Sequence, residues 1–220
     1  MTNSDNIFEQ DIQEHSIRKK LEAIYKEYET RFAGGEFVFG CGLVKPKLLL
    51  IGEAPGREEV KLSRPFSGTA GKNLDEFLEL AGINRDDIYI TNAIKYRLSK
   101  VNPKTGKLSN KPAVREEILS SRSYLLREIE MICPYCIATL GNVPLRAVMG
   151  DFSVNIGDIH GKPAKIKTEK QEYLLFPLYH PASVIYNRSL REICRQDILK
   201  LRELVNVPDS LADSAQSTLL

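Results

Sequence analysis

The turn Gly52-Glu53-Ala54-Pro55-Gly56 follows the apolar run Leu48-Leu49-Leu50-Ile51, and Tyr179-His180-Pro181-Ala182-Ser183 follows the run from Tyr173 to Leu178. Each motif carries a group able to hold water, move a proton or meet developing charge: a carboxylate at Glu53 and an imidazole at His180. Asn92 ends a third apolar stretch, Ile88-Tyr89-Ile90, and a side-chain amide presents an acceptor and a donor together. Between the first and third of these stretches lies Arg64-Pro65-Phe66-Ser67-Gly68-Thr69-Ala70-Gly71. Phe66 offers a flat aromatic face; core packing is the plainer use, but Pro65 and Gly68 around it favour a constrained loop. Ser67, Gly68, Thr69 and Gly71 precede a helix whose first N–H groups favour an anion, or they simply cap it.

Such groups cooperate only if the chain brings them to one place. Strands are expected over Lys47–Ile51, Ile88–Ile90, Ile137–Leu140 and Tyr173–Leu178. Helical spacing appears in Ile17, Leu21, Ile24, Tyr25 and Tyr28, in Leu74, Phe77, Leu78 and Ala81, in Ile118, Leu125, Ile129 and Ile132, and in Leu190, Ile193, Ile198 and Leu201. Val143 to Met149 reads as a short helix, while 103–112 and 151–161 read as loops. Strands alternating with helices imply an α/β fold with a parallel sheet covered on both faces. Ligands of such sheets bind beyond the carboxyl ends of the strands, so all four motifs can line one crevice.

In their order and spacing, the Gly-Glu-x-Pro-Gly turn, the Pro-Phe-x-Gly-x-Ala-Gly segment, the Thr91-Asn92 strand end and the His-Pro-x-Ser loop resemble the uracil-DNA glycosylase superfamily. The nearest branch is family 4, over roughly residues 36–204. The resemblance implies a single-domain, three-layer α/β fold with a four-stranded parallel sheet over residues 36–205, a helical segment (1–35) packed on it and a flexible tail (206–220). It implies a DNA N-glycosylase of base excision repair that lifts uracil out of DNA and hydrolyses its bond to C1′. Asn92 then pairs with uracil N3–H and O4, Phe66 stacks on the base, Ala54 lines the base pocket, and His180 donates to O2 as negative charge gathers there. Glu53, with Glu59 and a loop Asn best matched by Asn102, is implied to form a network that orders the loop and the water. Gly56, Ser67, Gly68, Lys72, Lys100, Ser183, Tyr186 and Arg188 are implied to meet DNA. Ile185-Tyr186-Asn187-Arg188 either enters the duplex as a wedge or is an ordinary turn before the last helix.

One departure stands out. Family 4 proteins hold a [4Fe-4S] cluster on four cysteines, two of them in an early Cys-x-x-Cys pair and one in a Lys-Cys-Arg segment. Here that segment reads Lys95-Tyr96-Arg97, Ser120-Ser121 stands near the fourth position, and the early pair is missing. Cys41, Cys133, Cys136 and Cys194 fall elsewhere, in settings that suit small buried hydrophobes. The expectation is therefore a colourless protein with no cluster and no metal.

With 220 residues and 42% hydrophobic content, the chain can bury one core. No apolar run approaches membrane-spanning length and the first residues lack a signal-peptide pattern, so a cytoplasmic monomer acting on uracil-containing DNA, with no membrane partner, is expected. Net charge is only +2, yet Lys95, Arg97, Lys100, Lys104, Lys107, Lys111 and Arg115 follow Asn92 without an intervening Asp or Glu. Such a run is either a solvated loop or a phosphate-attracting rim. Three rivals remain: a same-fold glycosylase for hypoxanthine or xanthine, a protein that grips uracil-DNA without turnover, and a phosphate-ester hydrolase. The trapping members use a loop His, and none occurs between Gly82 and Asn155; no Walker pattern or carboxylate-rich metal site supports the hydrolase.

Overall fold

Leu48, Leu49, Leu50 and Ile51 are all essentially inaccessible to solvent, which a strand covered on both faces requires. In the computed structural model, which describes residues 3–206 and the side chains of residues 11–206, they form the centre of a six-stranded sheet. Strands β1 (Cys41–Gly42), β2 (Leu48–Gly52), β3 (Tyr89–Asn92), β6 (Cys136–Leu140), β7 (Ala164–Lys167) and β8 (Glu172–Leu178) lie in the order β1-β3-β2-β6-β8-β7. A separate hairpin joins β4 (Ser99–Val101) to β5 (Leu108–Asn110). The four inner strands are parallel, as expected from the sequence. Both edge strands are additions to that expectation, and both run antiparallel to their neighbours.

Alternation along the inner strands splits the core. Leu48, Leu50, Ile90, Ala138 and Phe176 face α3 (Thr69–Ala81) and α8 (Leu190–Val205), meeting Leu74, Leu78, Ile198 and Leu201. Leu49, Ile51, Tyr89, Ile137 and Leu175 face the other way, toward α1 (Asn3–Arg31), α4 (Arg115–Ile132) and α5 (Asn142–Met149). The helical periodicity of α1 is used as read: Leu21, Ile24 and Tyr28 are buried, and the helix packs along α4. Three shorter helices, α2 (Arg57–Leu62), α6 (Ile156–Ile159) and α7 (Ser183–Tyr186), sit in the connections.

Several boundaries differ from the sequence reading. Strand β3 ends at Thr91 and Asn92 as read, where pairing with Ile51 and Gly52 continues the parallel ladder, but it begins at Tyr89 and not at Ile88. The segment 103–112, read as a loop, contains β5, and 151–161 contains α6. The expected flexible tail lies, apart from Asn206, outside the described residues.

A buried ion pair ties α1, β3 and α4 together. Lys95 and Glu128, both with essentially no exposure, pair through Nζ and Oε2. Lys95 Nζ also donates to Thr91 Oγ1 at 2.8 Å and to the Asn92 carbonyl at 2.5 Å. Glu128 Oε1 accepts from Tyr25 Oη at 2.6 Å and Thr91 Oγ1 at 3.0 Å. Burial pulls the Lys95 amine below its ordinary range, against the opposing pull of Glu128. Replacing Lys95 by Met strands the Glu128 carboxylate in the core, so it is expected to cost about 3–5 kcal/mol of stability in urea unfolding. Replacing the pair together, Lys95→Met with Glu128→Leu, is expected to cost less than Lys95→Met alone, since neither charge is then left without a partner.

Candidate active site

At the carboxyl ends of β2, β3 and β8 the chain leaves a pocket of about 460 Å³. Its floor depends on the absence of a side chain at Gly52: a Cβ there would overlap Asn92 Oδ1 and the edge of the Phe66 ring. Asn92, only 3% exposed, lines the pocket. Its amide makes no hydrogen bond among the described residues, so a donor and an acceptor face the cavity without protein partners.

Phe66 stands on one wall in a left-handed backbone conformation (φ 52°), which costs energy for a bulky residue. Two features hold it there. Arg85 Nη2 donates to the carbonyls of Pro65 at 2.7 Å and Phe66 at 3.2 Å, while its Nη1 pairs with Asp75. Gly71 leaves room for the Phe66 carbonyl, which any Cβ would strike. The Phe66 ring lies 6.0 Å from the His180 ring, centroid to centroid, and 29° from parallel to it.

His180 receives the Ala182 N–H on Nδ1 at 3.1 Å. A ring nitrogen that accepts carries no proton, so the neutral imidazole keeps its hydrogen on Nε2 and can donate from there. Burial drives the His180 pKa from its ordinary 6.5 down to about 4, with the Glu59 carboxylate pulling the other way. Glu59 also lines the pocket, and its Oε1 accepts from the Gly68 N–H at 3.1 Å. The site thus combines an unpartnered amide, a flat ring, a neutral N–H donor and a carboxylate, which suits recognition of a planar polar base and stabilisation of charge as a bond to it breaks.

The uracil DNA glycosylase superfamily matches residues 39–201. The chain belongs to that superfamily. It is 37% identical over 173 residues to a type-4 uracil-DNA glycosylase of Sulfurisphaera tokodaii, covering 77% of this chain and 74% of the relative. It is 34% identical to proteins of the same name from Archaeoglobus fulgidus, covering 76% and 81%, and from Thermotoga maritima, covering 76% and 82%.

Of the residues that the superfamily resemblance singled out, Ala54, Gly56, Glu59, Phe66, Gly68, Asn92 and His180 meet in this pocket. Glu53 does not line it; its Oε1 accepts from the Ala113 N–H at 3.1 Å, tying the turn after β2 to the approach to α4, and burial raises its pKa. Asn102 is a correction. It is exposed at the hairpin turn, where Oδ1 accepts from the N–H groups of Lys104 and Thr105, so it neither bonds Glu53 nor reaches the pocket. The hairpin Asn that does line the pocket is Asn110, whose Oδ1 accepts from Arg97 Nε at 3.2 Å. Sequence reasoning missed Asn110 and Arg85, which no short motif marks, and placed Arg97 only in the basic run. Ser67 bonds the Arg64 carbonyl, and Lys72 and Lys100 are exposed outside the pocket. Ser183 opens α7, Tyr186 is 88% exposed, and Arg188 borders a neighbouring depression with Phe77 and Ile185.

The residues at the positions implied for a [4Fe-4S] cluster do not fit one. Tyr96 packs its ring 5.1 Å from Phe32 and 6.3 Å from Tyr28. Ser121 Oγ bonds Tyr28 Oη at 2.8 Å, and Ser120 bonds its own helix. Cys136 lies in β6, Cys194 on α8, Cys41 on β1, and Cys133 caps α4. Burial raises the thiol pKa to about 12 for Cys136 and about 11 for Cys194, which disfavours the thiolates that bind iron.

The His180 pKa has a signed consequence. Because its folded value is depressed, the group contributes stability above the ordinary 6.5, and that contribution is lost as pH falls toward 4 and the unfolded chain takes up a proton. The ring is expected to remain the neutral Nε2–H tautomer from about pH 8 to about pH 5 in nitrogen-15 NMR, where an ordinary His would titrate.

Proposed function

We propose that this protein is a uracil-DNA glycosylase: it extrudes a uracil nucleotide into the pocket and hydrolyses the bond between C1′ and N1. The observation that carries this reading is the Asn92 amide, buried, without a hydrogen bond to any of the described residues and set beside the Phe66 ring and the His180 N–H donor. Uracil offers N3–H and O4 on one edge, which an amide oxygen and amide N–H answer together. The aromatic ring of Phe66 repays part of the stacking that the flipped base loses.

As C1′–N1 breaks, the electron pair of the bond passes into the ring and negative charge collects at uracil O2. His180, neutral and donating from Nε2, stabilises that oxygen without giving up its proton. Positive charge builds on the sugar, and Glu59 is the pocket carboxylate suited to face it. A water molecule then adds its oxygen to C1′; the proton it releases balances the anionic uracil, which leaves as the neutral base, and an abasic site remains. Glu53 acts further back, by holding the loop against Ala113.

We further propose that the chain works without an iron-sulfur cluster and as a cytoplasmic monomer. In support, aromatic and hydroxyl side chains occupy positions where the family resemblance implies cysteines. Among the described residues no helix is long and apolar enough to cross a membrane.

Substitutions at Asn92 test the reading. Asn92→Ala is expected to lower excision of uracil by a factor on the order of 10² or more with the fold intact, because uracil's polar edge is then buried unmatched. Asn92→Asp is the sharper variant: a carboxylate accepts but does not donate, so preference should move from uracil O4 toward the N4 amino group of cytosine. Excision of uracil by Asn92→Ala at the wild-type rate, in a gel assay of uracil-containing oligonucleotides, overturns the assignment. For the metal, protein purified without oxygen is expected to be colourless and to keep its activity in EDTA; brown protein with near-stoichiometric iron refutes the cluster-free form.

A further inference from the structure

The β4–β5 hairpin follows directly from the β3 end that carries Asn92, and its pattern is unusual for a solvated loop. In an antiparallel pair, directly opposed residues share a face and alternate residues return to it. Ser99 opposes Asn110 and Val101 opposes Leu108, so these four share one face, while Lys100 and Ser109 lie on the other. Leu108, Ser109 and Asn110 all line the pocket, so β5 stands on its rim, and the face that holds Leu108 and Asn110 meets that rim. It carries two large aliphatic side chains left open to solvent, Val101 at 60% and Leu108 at 54% exposure. Lys100 and Lys107 are their neighbours in sequence and Lys104 lies in the turn, and none of the three pairs with a carboxylate among the described residues.

A second exposed tip follows the loop that carries His180. The hairpin comes after β3, and Tyr186, on α7, comes after β8; β2 and β6 separate those two strands. The chain thus carries an exposed apolar pair after one pocket strand and an exposed aromatic ring after another. Isolated exposed aliphatics are ordinary on a protein surface. A cross-strand pair on a hairpin that carries unpaired cations, with one member lining a pocket, has the composition of minor-groove wedges, in which apolar side chains enter between base steps while cations hold the phosphates.

We propose that the β4–β5 hairpin is a second DNA wedge. Val101 and Leu108 press into the base step beside the extruded uracil, on the side of the lesion opposite Tyr186, while Lys100, Lys104 and Lys107 bind the flanking phosphates. This proposal rests on the glycosylase reading above. It goes further by assigning to the hairpin a preference for duplex substrate, since a single strand has no paired step to prise apart.

The test uses full-length protein, a duplex carrying uracil beside 2-aminopurine, whose fluorescence rises when it unstacks, and the same uracil strand alone. Val101→Ser, which leaves the pocket-lining Leu108 in place, is expected to lower kcat/KM on the duplex about five-fold, as loss of apolar burial at one side chain implies, and to reduce the fluorescence rise on binding. Excision from the single strand should stay within about two-fold of wild type, since no base step is opened there. A companion variant, Val101→Ile, keeps the apolar surface and is expected to behave as wild type on both. Equal losses on duplex and single strand, or no loss on either, overturn the wedge. If wild-type protein releases no uracil from either substrate, the glycosylase reading fails instead, and the fluorescence rise, which needs no turnover, still separates the two hairpin variants.

Discussion

Lys95 brings a charged amine to a place that water does not reach, and the direction of Asn92 depends on it. Taking an ammonium and a carboxylate out of water costs several kcal/mol each, recovered only when every remaining proton and lone pair finds a partner. The chain meets that condition from three elements at once. Glu128 comes from α4, Thr91 and the Asn92 carbonyl come from β3, and the phenols of Tyr25 on α1 and Tyr89 on β3 close around Glu128 at 2.6 and 3.4 Å. With the Tyr25 hydrogen on Glu128, the Tyr89 hydroxyl can donate to Tyr25 Oη at 2.7 Å. The carbonyl of Asn92 sits where the strand ladder runs out, and Lys95 Nζ is what satisfies it. A backbone fixed on one side by an ion pair leaves the Asn92 side chain facing the cavity across Gly52. Helix α1, which lies outside the pocket, thereby bears on the pocket through Tyr25, and Tyr28 adds a second link by accepting the Lys95 N–H at 3.0 Å.

The opposite wall is held by a different kind of constraint. Phe66 is strained at φ 52°, and strain of this sort survives only where neighbours over-determine it. Arg85 grips two consecutive carbonyls of that loop from the turn before β3, so the element that ends in Asn92 also fixes the ring facing it. Gly52 and Gly71 supply the missing volume. A base slot needs its walls set before the ligand arrives, because ordering them on binding would consume the affinity. Here both walls hang on one strand and its flanks.

What was legible in the sequence follows from this division. The four parallel strands and the large helices were visible because buried runs and helical spacing report burial directly. The pocket motifs were visible because a turn, a strand end and a His-Pro loop all fall past strand carboxyl ends. Edge strand β1, two residues long, gives no periodicity to detect, and β7 has a single buried residue, Ile166. Arg85, Arg97 and Asn110 act through contacts 13 to 20 residues away in sequence, and such pairing leaves no local pattern. Asn102 shows the reverse error. An Asn in the right stretch is matched to the network of Glu53 and Glu59, yet its neighbours Pro103, Lys104 and Thr105 make a turn that its side chain caps, the most local use an Asn can have. The hairpin Asn that lines the cavity lies eight positions on, across the segment that the sequence reading treats as a loop.

The same logic bears on how the site handles charge. A protonated His180 would favour an anionic leaving group more strongly at long range, but it would bring a second proton to Nδ1, where the Ala182 N–H already points. Burial adds to that penalty, and the nearby Glu59 only partly offsets it. The neutral ring is thus the state that the backbone itself selects. A neutral donor in a water-poor pocket gains as charge develops on the acceptor, while it gains little from the neutral base beforehand. In the reaction proposed above its contribution is therefore concentrated in the transition state. On that proposal Glu59 faces the sugar while His180 faces the departing base, so the two halves of the separating charge meet two different groups of one pocket.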